Sequence, residues 1–119
     1  DRQHEKLSGD DYQIGLSPGD LSAATVVAQA YCWFPVGQAG SMPAAQLAAS
    51  ASVDGYVLEA AVPWAALGVA PASGDEYGFA LSVSDNDLPG VAAQQSMVSS
   101  ATARSLTDPT TWGRLRLDP

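Results

Sequence analysis

The stretch that decides the fold is Ala51-Ser52-Val53-Asp54-Gly55-Tyr56-Val57-Leu58-Glu59-Ala60-Ala61-Val62-Pro63-Trp64. From Tyr56 onward it alternates. Tyr56, Leu58, Ala60 and Val62 point one way and Val57, Glu59 and Ala61 the other, which is the two-residue period of a β-strand. Ahead of that run, Asp54-Gly55 reads as the corner of a hairpin, because Asp-Gly readily takes positive φ. The Ala/Ser-rich residues before the corner are then its partner strand. Pro63, which lacks an N–H for the ladder, ends the strand, and Trp64-Ala65-Ala66-Leu67 gives one helical turn closed by Gly68.

The same period recurs on both sides of this hairpin. Tyr12, Ile14 and Leu16 alternate with Gln13, Gly15 and Ser17 before a Ser-Pro-Gly-Asp turn at 17–20. In Ala24–Pro35, Val27, Gln29, Tyr31 and Trp33 share one face, and Val26, Ala28, Ala30, Cys32 and Phe34 share the other. Apolar character on both faces suits a central strand. Glu76–Asp87 reads as a strand that carries Phe79, Leu81 and Val83 inward. Ala92–Ser100 alternates again, and the closing run sets Leu115 and Leu117 against Trp112, Arg114 and Arg116. Six or seven short strands separated by turns, with almost no helical signal, predict an all-β chain, an antiparallel β-sandwich or jelly roll, as one domain over residues 1–119. The chain enters through a polar leader and reaches its first strand at once. The expectation is therefore a sandwich lacking its first strand or strands, with an open sheet edge that a preceding part of the parent protein or another copy of the chain fills.

Composition narrows the function. With 119 residues and 46 % hydrophobic content the chain can bury a core, and no apolar run approaches the roughly 20 residues of a membrane-spanning helix. Thirteen acidic against five basic residues give a net charge of −8, which repels a phosphate backbone and excludes nucleic acid as a partner. Cys32 is the single cysteine, so neither an internal disulfide nor a cysteine zinc site can form. The single histidine, His4, sits in the polar leader, and no serine stands in a Gly-x-Ser-x-Gly elbow. Neither glycine-rich stretch ends in the Gly-Lys-Ser/Thr of a phosphate loop. The acidic pairs Asp10/Asp11, Asp75/Glu76 and Asp85/Asp87 lie beside turns, where aspartate caps backbone N–H groups. The reading is a domain that binds without catalysing.

Two resources for binding are left. In Ser82–Gly90, Asp85, Asp87 and Gly90 match the first, third and sixth positions of a helix–loop–helix calcium loop, but Ser96 stands where its bidentate glutamate belongs. The stretch is first a strand-ending bend, and Asp85 and Asp87 remain candidate ligands for a looser calcium site. The aromatics are the second resource. Trp33 shares a face with Gln29, and Trp112 shares one with Arg114. A ring on a sheet face covers the C–H side of a sugar while neighbouring amides and guanidinia bond its hydroxyls, an arrangement suited to a neutral polysaccharide or oligosaccharide. Trp64, after Val-Pro at a strand end, reads as core.

Four segments in order, Gly9–Asp20 (GDDYQIGLSPGD), Tyr56–Gly68 (YVLEAAVPWAALG), Gly78–Gly90 (GFALSVSDNDLPG) and Asp108–Leu117 (DPTTWGRLRL), resemble the carbohydrate-binding modules of family 9 and the domains like them. The family's first strands have no counterpart here, and Leu7-Ser8 stands where an aromatic often precedes the Gly-Asp. The resemblance implies a secreted, extracellular or cell-envelope β-sandwich that binds sugars without cleaving them, in some cases with structural calcium. It implies a sugar held between two tryptophan rings, for which Trp33 and Trp112 are the candidates, with Gln29 and Arg114 as polar neighbours. Glu59, in the Tyr-x-x-Glu-x-x-x-Pro-Trp run, matches a family motif position and is implied as a paired or metal-bound carboxylate. The alternative function is structural: a subunit of an extracellular assembly or fibre completed by strand exchange with a neighbouring copy.

Overall fold

The computed structural model describes residues 6–22, 26–85 and 94–118. Among the described residues there are nine strands, every pairing is antiparallel, and the helical pieces are 3-10 turns of three or four residues. This is the all-β class that the alternation predicts. Chain contacts gather into two compact units, one spanning Gly9–Pro71 and one built mainly from Ala72–Pro119.

In the first unit, β1 (Gln13–Ser17), β2 (Gln29–Phe34) and β3 (Gly40–Ser41) form a sheet in the order β1-β2-β3. The run with two apolar faces is thus the central strand, as predicted. Alternation along β2 sorts its side chains sharply: Ala30 and Cys32 are 6 % and 4 % exposed, whereas Gln29, Tyr31 and Trp33 are open to solvent. The Cys32 thiol donates to the Phe34 carbonyl at 3.1 Å. The strand starts at Gln29 instead of further upstream because the Val26 carbonyl is taken by the Asp20 N–H at 2.8 Å, closing a turn. That turn needs Gly19, at φ 75°: a Cβ there would strike the Val26 carbonyl oxygen and come within 2.7 Å of the Val27 backbone.

The hairpin follows as β4 (Gln46–Ser52) and β5 (Gly55–Ala61), paired along their whole length. Its corner is Val53-Asp54, one residue earlier than the predicted Asp54-Gly55, because Ser52 pairs with Gly55. This register sets Leu58 opposite Ala49 and Leu47 opposite Ala60, a large side chain against a small one each time, and ends the ladder before Val62 and Pro63. The 3-10 turn Trp64–Leu67 comes next, closed by Gly68 at φ 66° as expected, with Trp64 half-buried.

In the second unit, β6 (Glu76–Phe79) pairs with β9 (Gly113–Arg116), and β7 (Ser82–Asp85) pairs with β8 (Ser96–Ser99). The run read as one strand over 76–87 is therefore two strands with different partners. The break is at Leu81, whose N–H donates to Ser100 Oγ at 3.0 Å and whose carbonyl accepts from the Ser100 N–H at 2.8 Å. The side chains expected inward are half in solvent, with Phe79, Leu81 and Val83 exposed by 45, 53 and 50 %.

Candidate functional site

The exposed face of β2 is the most distinctive surface of the first unit. Gln29, Tyr31 and Trp33 stand at every second position and so project to one side. The Tyr31 and Trp33 rings meet at a centroid distance of 4.4 Å, tilted by 46°, and the Trp33 side remains 57 % exposed. On the adjoining strand, Gly15 pairs with Tyr31 and Ser17 with Gln29. A Cβ at Gly15 would lie 2.6 Å from Trp33 Nε1, so the indole rests on the bare backbone of β1 and only glycine leaves room for it. Across β2 on its other side, Ser41 pairs with Tyr31 and so shares the same face. The result is a platform of two contacting aromatic rings edged by an amide and two hydroxyls, with no charged side chain among the named residues.

Next to Gln29 and Ser41 lies an open concavity of about 470 Å³, lined by residues 28–30 where β2 begins, by 41–43 where β3 ends, and by 45–47 where β4 begins. It exists because β3 is only two residues long and the chain then leaves the edge of β2, held by the Met42 N–H donating to the Ala30 carbonyl at 3.0 Å. Its hydrogen-bonding side chains are Gln29, Ser41 and Gln46, and no lining residue carries a charge.

The other sequence-predicted residues have their own surroundings. Trp112 follows the 3-10 turn Pro109–Thr111 and precedes β9; it is half-buried, and its indole N–H donates to the Ser105 carbonyl at 2.9 Å. Asp108 caps that turn, its Oδ1 accepting from the Thr110 N–H at 3.0 Å and from the Thr110 hydroxyl at 2.6 Å. Arg114, opposite Gly78 on β9, lies 3.3 Å from Glu76 Oε2; both side chains are largely exposed, and such a pair contributes about 0–1 kcal/mol. Trp33 and Gln29 belong to the first unit, and Trp112 and Arg114 to the second.

Glu59 is exposed on β5 opposite Ala48, on the face that also carries Val57 and Ala61. Asp85, at the end of β7, is exposed and its carbonyl accepts from the Gln95 N–H at 3.0 Å, while Asp87 lies outside the described residues. Among the described residues no group of three or more His, Cys, Asp or Glu side chains could hold a metal ion. Calcium takes six to eight oxygens, and the Asp85 carboxylate alone does not supply such a set. The second unit carries a perturbed titrating group. The Tyr77 hydroxyl has its pKa raised above 10.0, first by burial, then by its hydrogen bond to Asp75 and by the negative charge of that carboxylate. The Tyr77 O–H donates to Asp75 Oδ2 at 3.2 Å, and the same oxygen accepts from the Ala72 N–H at 2.8 Å, so this cluster braces the entry to β6.

Tyr31 is a residue that sequence reasoning placed on the same face as Trp33 and Gln29 without naming it as a candidate. The signal was present in the i, i+2 spacing of Tyr31 and Trp33, with a glycine in the strand that pairs beside them.

The family model for carbohydrate family 9 binding domain-like proteins matches residues 22–119. The chain belongs to that family. The match takes in β2 through β9, and the antiparallel strands agree with the all-β sandwich fold expected of it. No curated protein and no solved structure matches the chain. Membership makes a saccharide the class of partner to test on the β2 platform of this family-9-like domain. Among its described residues no helix is long and apolar enough to cross a membrane.

Proposed function

We propose that this family-9-like domain is a non-catalytic module, working outside the cell, that holds a neutral saccharide on the exposed face of β2. The observation that carries the reading is the Trp33 indole: laid over Gly15, braced by Tyr31, and open on its outer side. A pyranose ring has an apolar C–H face and a rim of hydroxyls. The C–H face stacks on Trp33 and Tyr31, and the hydroxyls bond to the Gln29 amide and to Ser17 and Ser41. The absence of charge among these residues favours an unsubstituted sugar over a uronate or a sulfated one, a preference that the net charge of −8 reinforces. Trp112, whose indole N–H donates to Ser105, and Arg114, which lies beside Glu76, belong to the second unit, and the reading is built without them.

The test is depletion from solution by insoluble cellulose, xylan, mannan and chitin, with carboxymethyl-cellulose as the charged control. At least one neutral glycan is expected to retain the protein, and a soluble form of that glycan to release it. Failure of every neutral glycan to retain it overturns the reading.

A further inference from the structure

The second unit holds a side-chain pair that the saccharide reading does not use. Met97 on β8 is 46 % exposed, and the Arg104 Nη2–H donates to its Sδ at 3.4 Å. The Arg104 Nε–H is buried and has no acceptor among the described residues. We infer that Met97 is a modification site: a hydroperoxide converts it to the sulfoxide, and Arg104 holds the new oxygen.

The setting follows from the local chain. Opposed pairs on β7 and β8 put Met97, Ser84, Ser82 and Ser99 on one side of the ribbon, and Val83 and Val98 on the other. A thioether thus stands among hydroxyls. After β8 the Ala101 N–H donates to Ser99 Oγ at 3.4 Å and the Arg104 N–H to the Ala101 carbonyl at 3.2 Å, so the chain turns back and lays the guanidinium against the sulfur. Sulfur is a weak acceptor, and a buried donor left unbonded is costly. Nη2 and the Nε–H share one edge of the guanidinium, the edge that grips a carboxylate with two parallel bonds. An oxygen one bond out from Sδ therefore comes within reach of both donors. In the reaction a sulfur lone pair attacks one oxygen of the hydroperoxide, and an S–O bond forms as the O–O bond breaks. The proton on the transferred oxygen passes to the departing one, so with hydrogen peroxide the sulfur loses two electrons and water leaves. A sulfoxide ordinarily disrupts apolar packing. Here it meets hydroxyls and an unfilled donor. Susceptibility follows exposure, and Met42, half-buried, and the Cys32 thiol, 4 % exposed, are both less open to the oxidant.

Hydrogen peroxide titrated onto the whole chain, with peptide mass mapping, tests the site. Met97 is expected to gain one oxygen several-fold faster than Met42. At the dose that oxidises Met97 alone, the Tm of the wild type is expected to rise by about 2–4 °C, and that of Arg104→Gln to stay level or fall. In proton–nitrogen NMR of the wild type, the Arg104 Nε–H signal is expected to move downfield and to exchange more slowly with water, a readout that decides the matter should Arg104→Gln fail to fold. Met97→Leu is expected to abolish both responses. Oxidation of Met42 as fast as Met97, a wild-type Tm that falls or stays level once Met97 is oxidised, or an Nε–H signal that does not move overturns the inference. A Tm rise of equal size in folded Arg104→Gln overturns the part given to Arg104.

Discussion

Replacing Trp33 by alanine, and separately Gly15 by alanine, probes the proposed saccharide platform from above and from below. An aromatic side chain offers about 150–250 Å² of surface, and with 57 % of Trp33 exposed on the order of 100 Å² is open to a ligand. A sugar ring on one side covers about 60 Å² of it, which at about 25 cal/mol per Å² contributes roughly 1.5 kcal/mol, or tenfold in affinity. Trp33→Ala is therefore expected to weaken binding about tenfold. Because its side chain is exposed and its main ring contact is Tyr31, the fold should remain intact. Gly15→Ala leaves the indole in place but lifts it. The new Cβ would sit 2.6 Å from Nε1 where ordinary contact starts at 3.4 Å, so the ring must move by about 0.8 Å. A sugar also bonded to Gln29 cannot follow that shift freely, and a gap of this size forfeits about a quarter to a half of the contact energy, giving a loss of roughly two- to threefold. Calorimetry measures both affinities, with far-ultraviolet circular dichroism confirming that each variant is folded. Wild-type affinity in folded Trp33→Ala would refute the platform. Wild-type affinity in Gly15→Ala beside a weakened Trp33→Ala would refute the seating of the indole on β1.

Three further outcomes are expected. Gly19→Ala forces a side chain into left-handed backbone against the Val26 and Val27 main chain, and should cost about 3 kcal/mol, lowering Tm by on the order of 10 °C in a thermal melt. Because folding raises the pKa of Tyr77, its contribution to stability is complete below the unfolded value of 10.0 and is lost as pH rises through the higher folded value. Tm should therefore fall above pH 10, less steeply in Tyr77→Phe, and absorbance at 295 nm should show one tyrosine ionising late. Asp108→Ala removes the cap of the turn that carries Trp112, and should cost about 1 kcal/mol and shift part of the tryptophan emission to the red as the Ser105 contact loosens.

Much of this arrangement was legible from side-chain alternation, and the misses share one cause. Period two reports which way a side chain faces and says nothing about which strand lies alongside. The alternation of Phe79, Leu81 and Val83 runs unbroken through the point at Leu81 where the chain exchanges one partner for another, so the sequence showed a single strand. The hairpin corner was misplaced by one residue for a related reason: the preference of Asp-Gly for positive φ is local, whereas the register is set by seven paired positions that put each leucine against an alanine. For Trp112, a local signal was available. Asp108-Pro109 is a capping residue followed by a proline at the first turn position, which places the indole on a corner before β9. The carbonyl that its N–H meets is seven residues away in sequence, and no pattern encodes that meeting.

Neighbouring positions of β2 carry a thiol and an indole on opposite sides, Cys32 sealed at 4 % exposure and Trp33 laid open. Sliding that strand by a single position against its neighbours would exchange them, bringing the sulfur to the surface and driving the indole inside. The chain thus holds its own alignment gauge: a thiol reagent that stays silent on the native molecule and reacts only after denaturant is added certifies that this ribbon is threaded the right way up.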